Sequence, residues 1–197
     1  MANISVAKVT IIAEKVGPEL EAYIESAGGS DYTILDADSY TVEKQGDTWV
    51  FRGAARGRWN YGNNLADYFS QAGDEALPLL ADEWNDTEAS AFVEALRARG
   101  GTVRFVVADS EEGAGWVETS TAICRVDNSG RLCCETKGAG RVPYTTANVM
   151  AAYDCTLREA AYLRLEEDAE EFFEEWDAEH PGQEPRPEDF DEWAEAW

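Results

Sequence analysis

Apolar residues alternate or recur at helical spacing along most of the first 140 positions. Residues 3–12, NISVAKVTII, put Ile4 and Val6 on one face and Val9 and Ile11 on the other, which predicts a strand. Gly17-Pro18 opens a predicted helix over Pro18–Ala27, since proline fits a first helical turn. Leu20, Tyr23, Ile24 and Ala27 form its apolar stripe, and Gly28-Gly29 closes it. Tyr32–Leu35 and Ser39–Glu43 are short β-prone runs. Thr48–Arg52 is a stronger one, reached through a hairpin turn at Gln45-Gly46-Asp47. Short helices are predicted over Leu65–Ala72 and Glu75–Trp84. A longer one over Thr87–Arg99 carries Phe92, Val93 and Leu96 and ends at Gly100-Gly101. Strands follow over Thr102–Ala108, Trp116–Val126 and Arg131–Thr136, the last two joined by a turn at Asp127-Asn128-Ser129-Gly130.

The order β-α-β-β, helices, β-β-β is an α+β pattern. It predicts an antiparallel ferredoxin-like sheet with helices on one face over residues 1–140. Past residue 140 the composition changes. Gly138–Tyr144 reads as a linker, and residues 141–197 read as an acidic helical appendage and tail. Residues 154–197 hold 17 acidic and 3 basic side chains, and the other 153 hold 23 and 13. More than half of the net charge of −24 therefore falls in under a quarter of the chain.

That charge disfavours direct binding to nucleic acid or to an anionic membrane, which carry the same sign, and favours a basic partner. No run of 18 apolar residues predicts a membrane-spanning helix. The first 15 residues lack the charged n-region of a secretion signal, so a cytoplasmic location with reduced thiols is expected. The four cysteines, Cys124, Cys133, Cys134 and Cys155, form no C-x-x-C pair, and Cys133 and Cys134 would point to opposite faces of a strand. They read as small buried apolar residues. The single histidine, His180, precedes Pro181-Gly182 in what reads as an exposed turn. No nucleophile elbow, phosphate-binding loop or dinucleotide fingerprint occurs, so neither a catalytic centre nor a cofactor or metal is expected.

Two glycine-aromatic turns stand out: Gly57-Arg58-Trp59-Asn60, and Glu111-Glu112-Gly113-Ala114-Gly115-Trp116. With the strands around them, residues 48–135 resemble small ferredoxin-like proteins of unknown function carried on phages, plasmids and conjugative elements. The glycines of the second turn fall one position earlier than in that group. The resemblance implies a fold and a mobile-element setting, and brings no active site with it.

The acidic segment carries the functional expectation. From Thr156 to Glu179, Leu157, Ala161, Leu165, Ala169, Phe172, Phe173 and Trp176 form one apolar stripe if the segment is a single helix. Residues 166–177 then carry eight carboxylates. Over about 18 Å of helix that is one charge per roughly 2.3 Å, against one per ~1.7 Å of duplex DNA. Glu166, Glu167, Glu170, Glu171, Glu174 and Glu175 are the expected partner-binding carboxylates. Phe190, Trp193 and Trp197, at i, i+3 and i+7, would add an aromatic anchor. The reading is a non-catalytic DNA-mimic protein of antirestriction or anti-CRISPR type, occupying a basic nucleic-acid-binding surface. Other readings stay open. The helix could be merely solvated, and the tail aromatics could pack on the protein itself. The protein could be a scaffold of a mobile element. It could also be a carboxylate-dependent enzyme acting near Glu111-Glu112, Trp116 and the Arg52–Arg58 loop.

Overall fold

A computed structural model describes residues 4–26, 35–36, 39–58, 86–111, 114–130 and 132–195. The fold is α+β, an open, mostly antiparallel six-stranded sheet with six α-helices among the described residues. The strands are β1 (Ile4–Glu14), β2 (Thr41–Gln45), β3 (Thr48–Arg58), β4 (Thr102–Glu111), β5 (Trp116–Val126) and β6 (Leu132–Pro143). Helix α1 (Gly17–Ser26) follows β1, and α2 (Asp86–Arg99) precedes β4. Helices α3 (Thr146–Tyr153), α4 (Leu157–Leu165), α5 (Ala169–Glu179) and α6 (Pro187–Ala194) complete the chain. No described helix is long and apolar enough to cross a membrane.

The sheet order is β2-β3-β1-β4-β5-β6, and β1 pairs antiparallel with both β3 and β4. The register explains the core. Ile11 lies opposite Phe51 and Phe105, Val9 opposite Gly53 and Val107, and Ala13 opposite Trp49 and Val103. Alternate residues share a face, so these rows bury together with Leu20, Tyr23 and Ile24 of α1 and Phe92 and Leu96 of α2. Tyr23 and Phe92 stack, with centroids 6.2 Å apart, which sets the two helices side by side. Gly101 is needed where α2 turns into β4: a Cβ there would come 2.6 Å from the Glu14 carbonyl oxygen.

The chain divides into two compact units. Residues 1–111 and 118–140 form the sheet unit, and residues 112–117 and 141–197 form the C-terminal unit. Residues 138–143, expected as a linker, are instead the end of β6. A ladder needs only backbone groups, so the glycines that suggest a break do not cause one, and Gly138 sits against the Glu118 carboxylate. Cys124 is buried in the sheet core as expected. The predicted strand over 32–35, the predicted helices over 65–72 and 75–84, and Trp59-Asn60 lie wholly or mainly outside the described residues.

Candidate functional site

The predicted single helix over 156–179 is broken in two. Helix α4 ends at Leu165, Glu166 turns through a positive φ of 48°, residues 166–168 form one 3-10 turn, and α5 begins at Ala169. The apolar spacing accounts for the break. Leu157, Ala161, Leu165, Ala169 and Phe173 recur every four residues, whereas a straight helix repeats every 3.6. The stripe therefore drifts about 40° per repeat, or about 160° from Leu157 to Phe173, and cannot face one core. Turning the chain at Glu166 resets the phase.

After the break, the apolar residues of both helices meet. Ala161, Ala169, Phe172, Phe173 and Phe190 form a core of their own, bordered by Leu157, Leu165, Trp176 and Trp193. Phe172 is its centre. Its ring lies 5.1 Å from Phe173, 5.0 Å edge-on to Phe190, 5.6 Å from Trp193 and 5.9 Å from Trp176. The tail aromatics therefore turn inward. Phe190 is fully buried, and Trp193 is half-buried with its indole N–H donating to Glu175 Oε2 at 2.9 Å. Trp197 lies outside the described residues. His180 opens the expected exposed turn, its carbonyl accepting from Gln183 N–H at 3.0 Å, but its ring is partly covered, stacking on Trp176 with centroids 4.0 Å apart.

Local signals shape these helices. Thr156 and Glu159 form a reciprocal capping box at the start of α4. Pro187 starts α6, where Arg186 N–H donates to Asp189. A further link spans three helices. Asp191 of α6 accepts from the Thr146 backbone N–H at 3.0 Å and from its hydroxyl at 2.7 Å, at the start of α3. Arg164 of α4 donates Nη1 to both Asp191 and Thr146 and lies over the Tyr144 and Phe190 rings. Sequence reading missed this group because its members are 18 to 45 residues apart.

With the rings inside, the carboxylates of α5 point outward. Glu171, Glu174 and Glu175 are exposed, as are Asp177 and Glu179, and Glu166 is exposed at the break. Helical neighbours three and four apart have Cβ atoms ~5–6 Å apart, so Glu171, Glu175 and Glu179 form one ladder. Glu170 alone of the named carboxylates has a cationic partner among the described residues. It accepts from Arg158 at 2.8 Å and from the Tyr162 hydroxyl. Glu167 sits in the 3-10 turn.

The Tyr162 hydrogen bond, then Arg158, holds the Glu170 carboxyl below the usual glutamate range. A depressed folded-state value means this link stabilises above the ordinary glutamate pKa of ~4.3 and is lost as pH falls through the lower value. In a carboxyl-detected NMR titration, Glu170 should titrate below ~4.3, and Tyr162→Phe should move it up toward that value. An unchanged midpoint in the variant would show that the hydroxyl does not hold the charge.

The alternative carboxylate site is placed differently. Asp109 and Glu111 of β4 are both buried and, two residues apart, share the core-facing side of the strand. Glu112 lies outside the described residues, and Arg52 is exposed and paired with Glu43 at 2.8 Å. Among the described residues, no group of three or more His, Cys, Asp or Glu side chains could hold a metal ion. Compared with known proteins, the chain matches no family model, no curated protein and no solved structure.

Proposed function

We propose that the C-terminal unit presents a phosphate-like row of carboxylates that occupies a basic nucleic-acid-binding surface on another protein, without catalysis. One observation carries this reading: Glu166, Glu171 and Glu174 are exposed and have no ion-pair partner among the described residues. Like charges three and four residues apart on one helix destabilise it by roughly 0.2–0.5 kcal/mol per pair. A row kept without neutralising lysines is suited to a cationic partner, with fast, salt-sensitive association. The row is shorter than one straight helix would make it, because the break at Glu166 leaves only α5 regular. The aromatic anchor is not part of the surface proposed here, since Phe190 is enclosed.

The sheet unit supports a ferredoxin-like reading. Its first four strands take the order β2-β3-β1-β4, with α1 and α2 in the two crossovers and β5 and β6 added at one edge. With it go the proposed mobile-element setting and a cytoplasmic antirestriction or anti-CRISPR role, which rest on the sequence resemblance and the charge.

The test is a pull-down from bacterial lysate at low and high salt, with the wild type beside a Glu166→Gln/Glu171→Gln/Glu174→Gln variant. Nucleic-acid-binding proteins should be recovered at low salt and lost at high salt. The triple variant should bind about tenfold more weakly, since three exposed charge pairs contribute roughly 0.5 kcal/mol each. Full binding by the uncharged variant would favour a scaffold held by shape and would sink the mimic. So would recovery of no nucleic-acid-binding protein.

A further inference from the structure

The sheet ends on β6, twelve residues long, and no described strand pairs with its outer side. Such an edge offers a row of backbone donors and acceptors to another strand, and long edges are normally covered or blunted. Charge at this edge departs from that of the chain as a whole. Residues 116–143 hold Glu118, Asp127 and Glu135 against Arg125, Arg131, Lys137 and Arg141, in a protein whose net charge is −24. A second acidic copy would therefore meet little repulsion along this twelve-residue edge.

We infer that two copies pair antiparallel through β6, about a two-fold axis at Thr136. Leu132–Gly140 is the part of β6 within the sheet unit, and Thr136 is its midpoint. Pairing about that residue sets Glu135 opposite Lys137 of the second copy and Lys137 opposite its Glu135, which is the isologous arrangement a two-fold requires. Both side chains are exposed. Glu135 holds Arg125 at 2.9 Å, and Lys137 has no ion-pair partner among the described residues. Centring on residue 135 or 137 would face like charges across the axis, which destabilises a strand pair. Centring on residue 138 would call on Arg141, already stacked over the Trp116 ring at 4.2 Å. The charge pattern thus selects one register.

Size-exclusion chromatography with light scattering tests this over a dilution series up to about 100 µM protein, from which the dissociation constant of each protein is read. The wild type should run at twice its mass of 21.8 kDa. Lys137→Glu faces glutamate with glutamate, and Glu135→Lys faces lysine with lysine. Each variant alone should dissociate at least tenfold more readily. An equimolar mixture of the two should regain the dimer, because every facing pair is then opposite in sign. Circular dichroism of each variant checks that the fold is kept. Amide exchange over residues 132–140 should slow with concentration in the wild type, reporting backbone pairing directly. A wild type of 21.8 kDa at that concentration would overturn the proposal. So would single variants that dimerise like the wild type, or a mixture that stays monomeric.

Discussion

Phe172→Ala should unfold most of the C-terminal unit at ordinary temperatures. The ring is 3% exposed and touches four other aromatic rings from two helices. Truncating a buried phenylalanine costs about 3–5 kcal/mol, from lost burial and from the cavity left behind. The other buried residues of the cluster around it are Ala161, Ala169, Phe173 and Phe190, of which two are alanines too small to fill that cavity. Amide exchange over α4 to α6 should accelerate by two to three orders of magnitude, since each 1.4 kcal/mol is about tenfold in an opening equilibrium. The core of the sheet unit shares no residue with this cluster, so β1 and β4 give the reference signal. Unchanged protection over residues 157–194 would show that the aromatic cluster is not what holds the unit together. Phe172→Leu, which retains an apolar side chain, should lose much less.

Asp191→Ala should cost about 3 kcal/mol, at the low end for a broken buried pair because both partners keep some exposure. The Arg164 and Asp191 side chains are 14% and 23% exposed. Removing the carboxylate takes the acceptor from the Thr146 hydroxyl and the Thr146 backbone N–H, and takes the counter-charge from the Arg164 guanidinium, which keeps only the Thr146 oxygen. It also removes a negative charge from the start of α3, where the helix dipole favours one. The uncompensated arginine is the largest part of the loss. Arg164→Met/Asp191→Leu should therefore be more stable than Asp191→Ala alone, since a buried ion pair can often be replaced by apolar residues at little net loss. Thermal or urea melts of the three proteins check this. A double variant no better than the single one would mean that geometry at the start of α3, not buried charge, is what Asp191 supplies.

The sheet was largely legible. The β-prone run over Trp116–Val126 coincides with β5, whose burial alternates from Ser120 to Arg125, and the stripe over Thr87–Arg99 falls within one residue of α2. These elements declare themselves because each buries one face against a common core, so its apolar period is its structural period. The end of β6 was not legible. Gly138, Gly140 and Arg141 carry no alternation, and what keeps them in the strand is the neighbouring strand's backbone. In the candidate surface the outward direction of the α5 carboxylates was legible, because Phe172, Phe173 and Trp176 define the opposite face. The partners that take up some of them were not. Arg158 lies 12 residues from Glu170, and Trp193 lies 18 from Glu175.

By itself the sequence determined the α+β class, the concentration of negative charge after residue 153, and the apolar face each helix would bury. Tertiary structure decided where the long acidic helix breaks, which carboxylates remain without a cation, and that Phe190 turns inward. The reason is one of range. Periodicity is local, and it limits what each helix can bury. A four-residue repeat on a 3.6-residue helix cannot say whether the chain will tolerate the drift or turn to correct it. That depends on whether a surface able to receive Phe172 exists in the same chain. Here α6, some 18 residues further on, provides it.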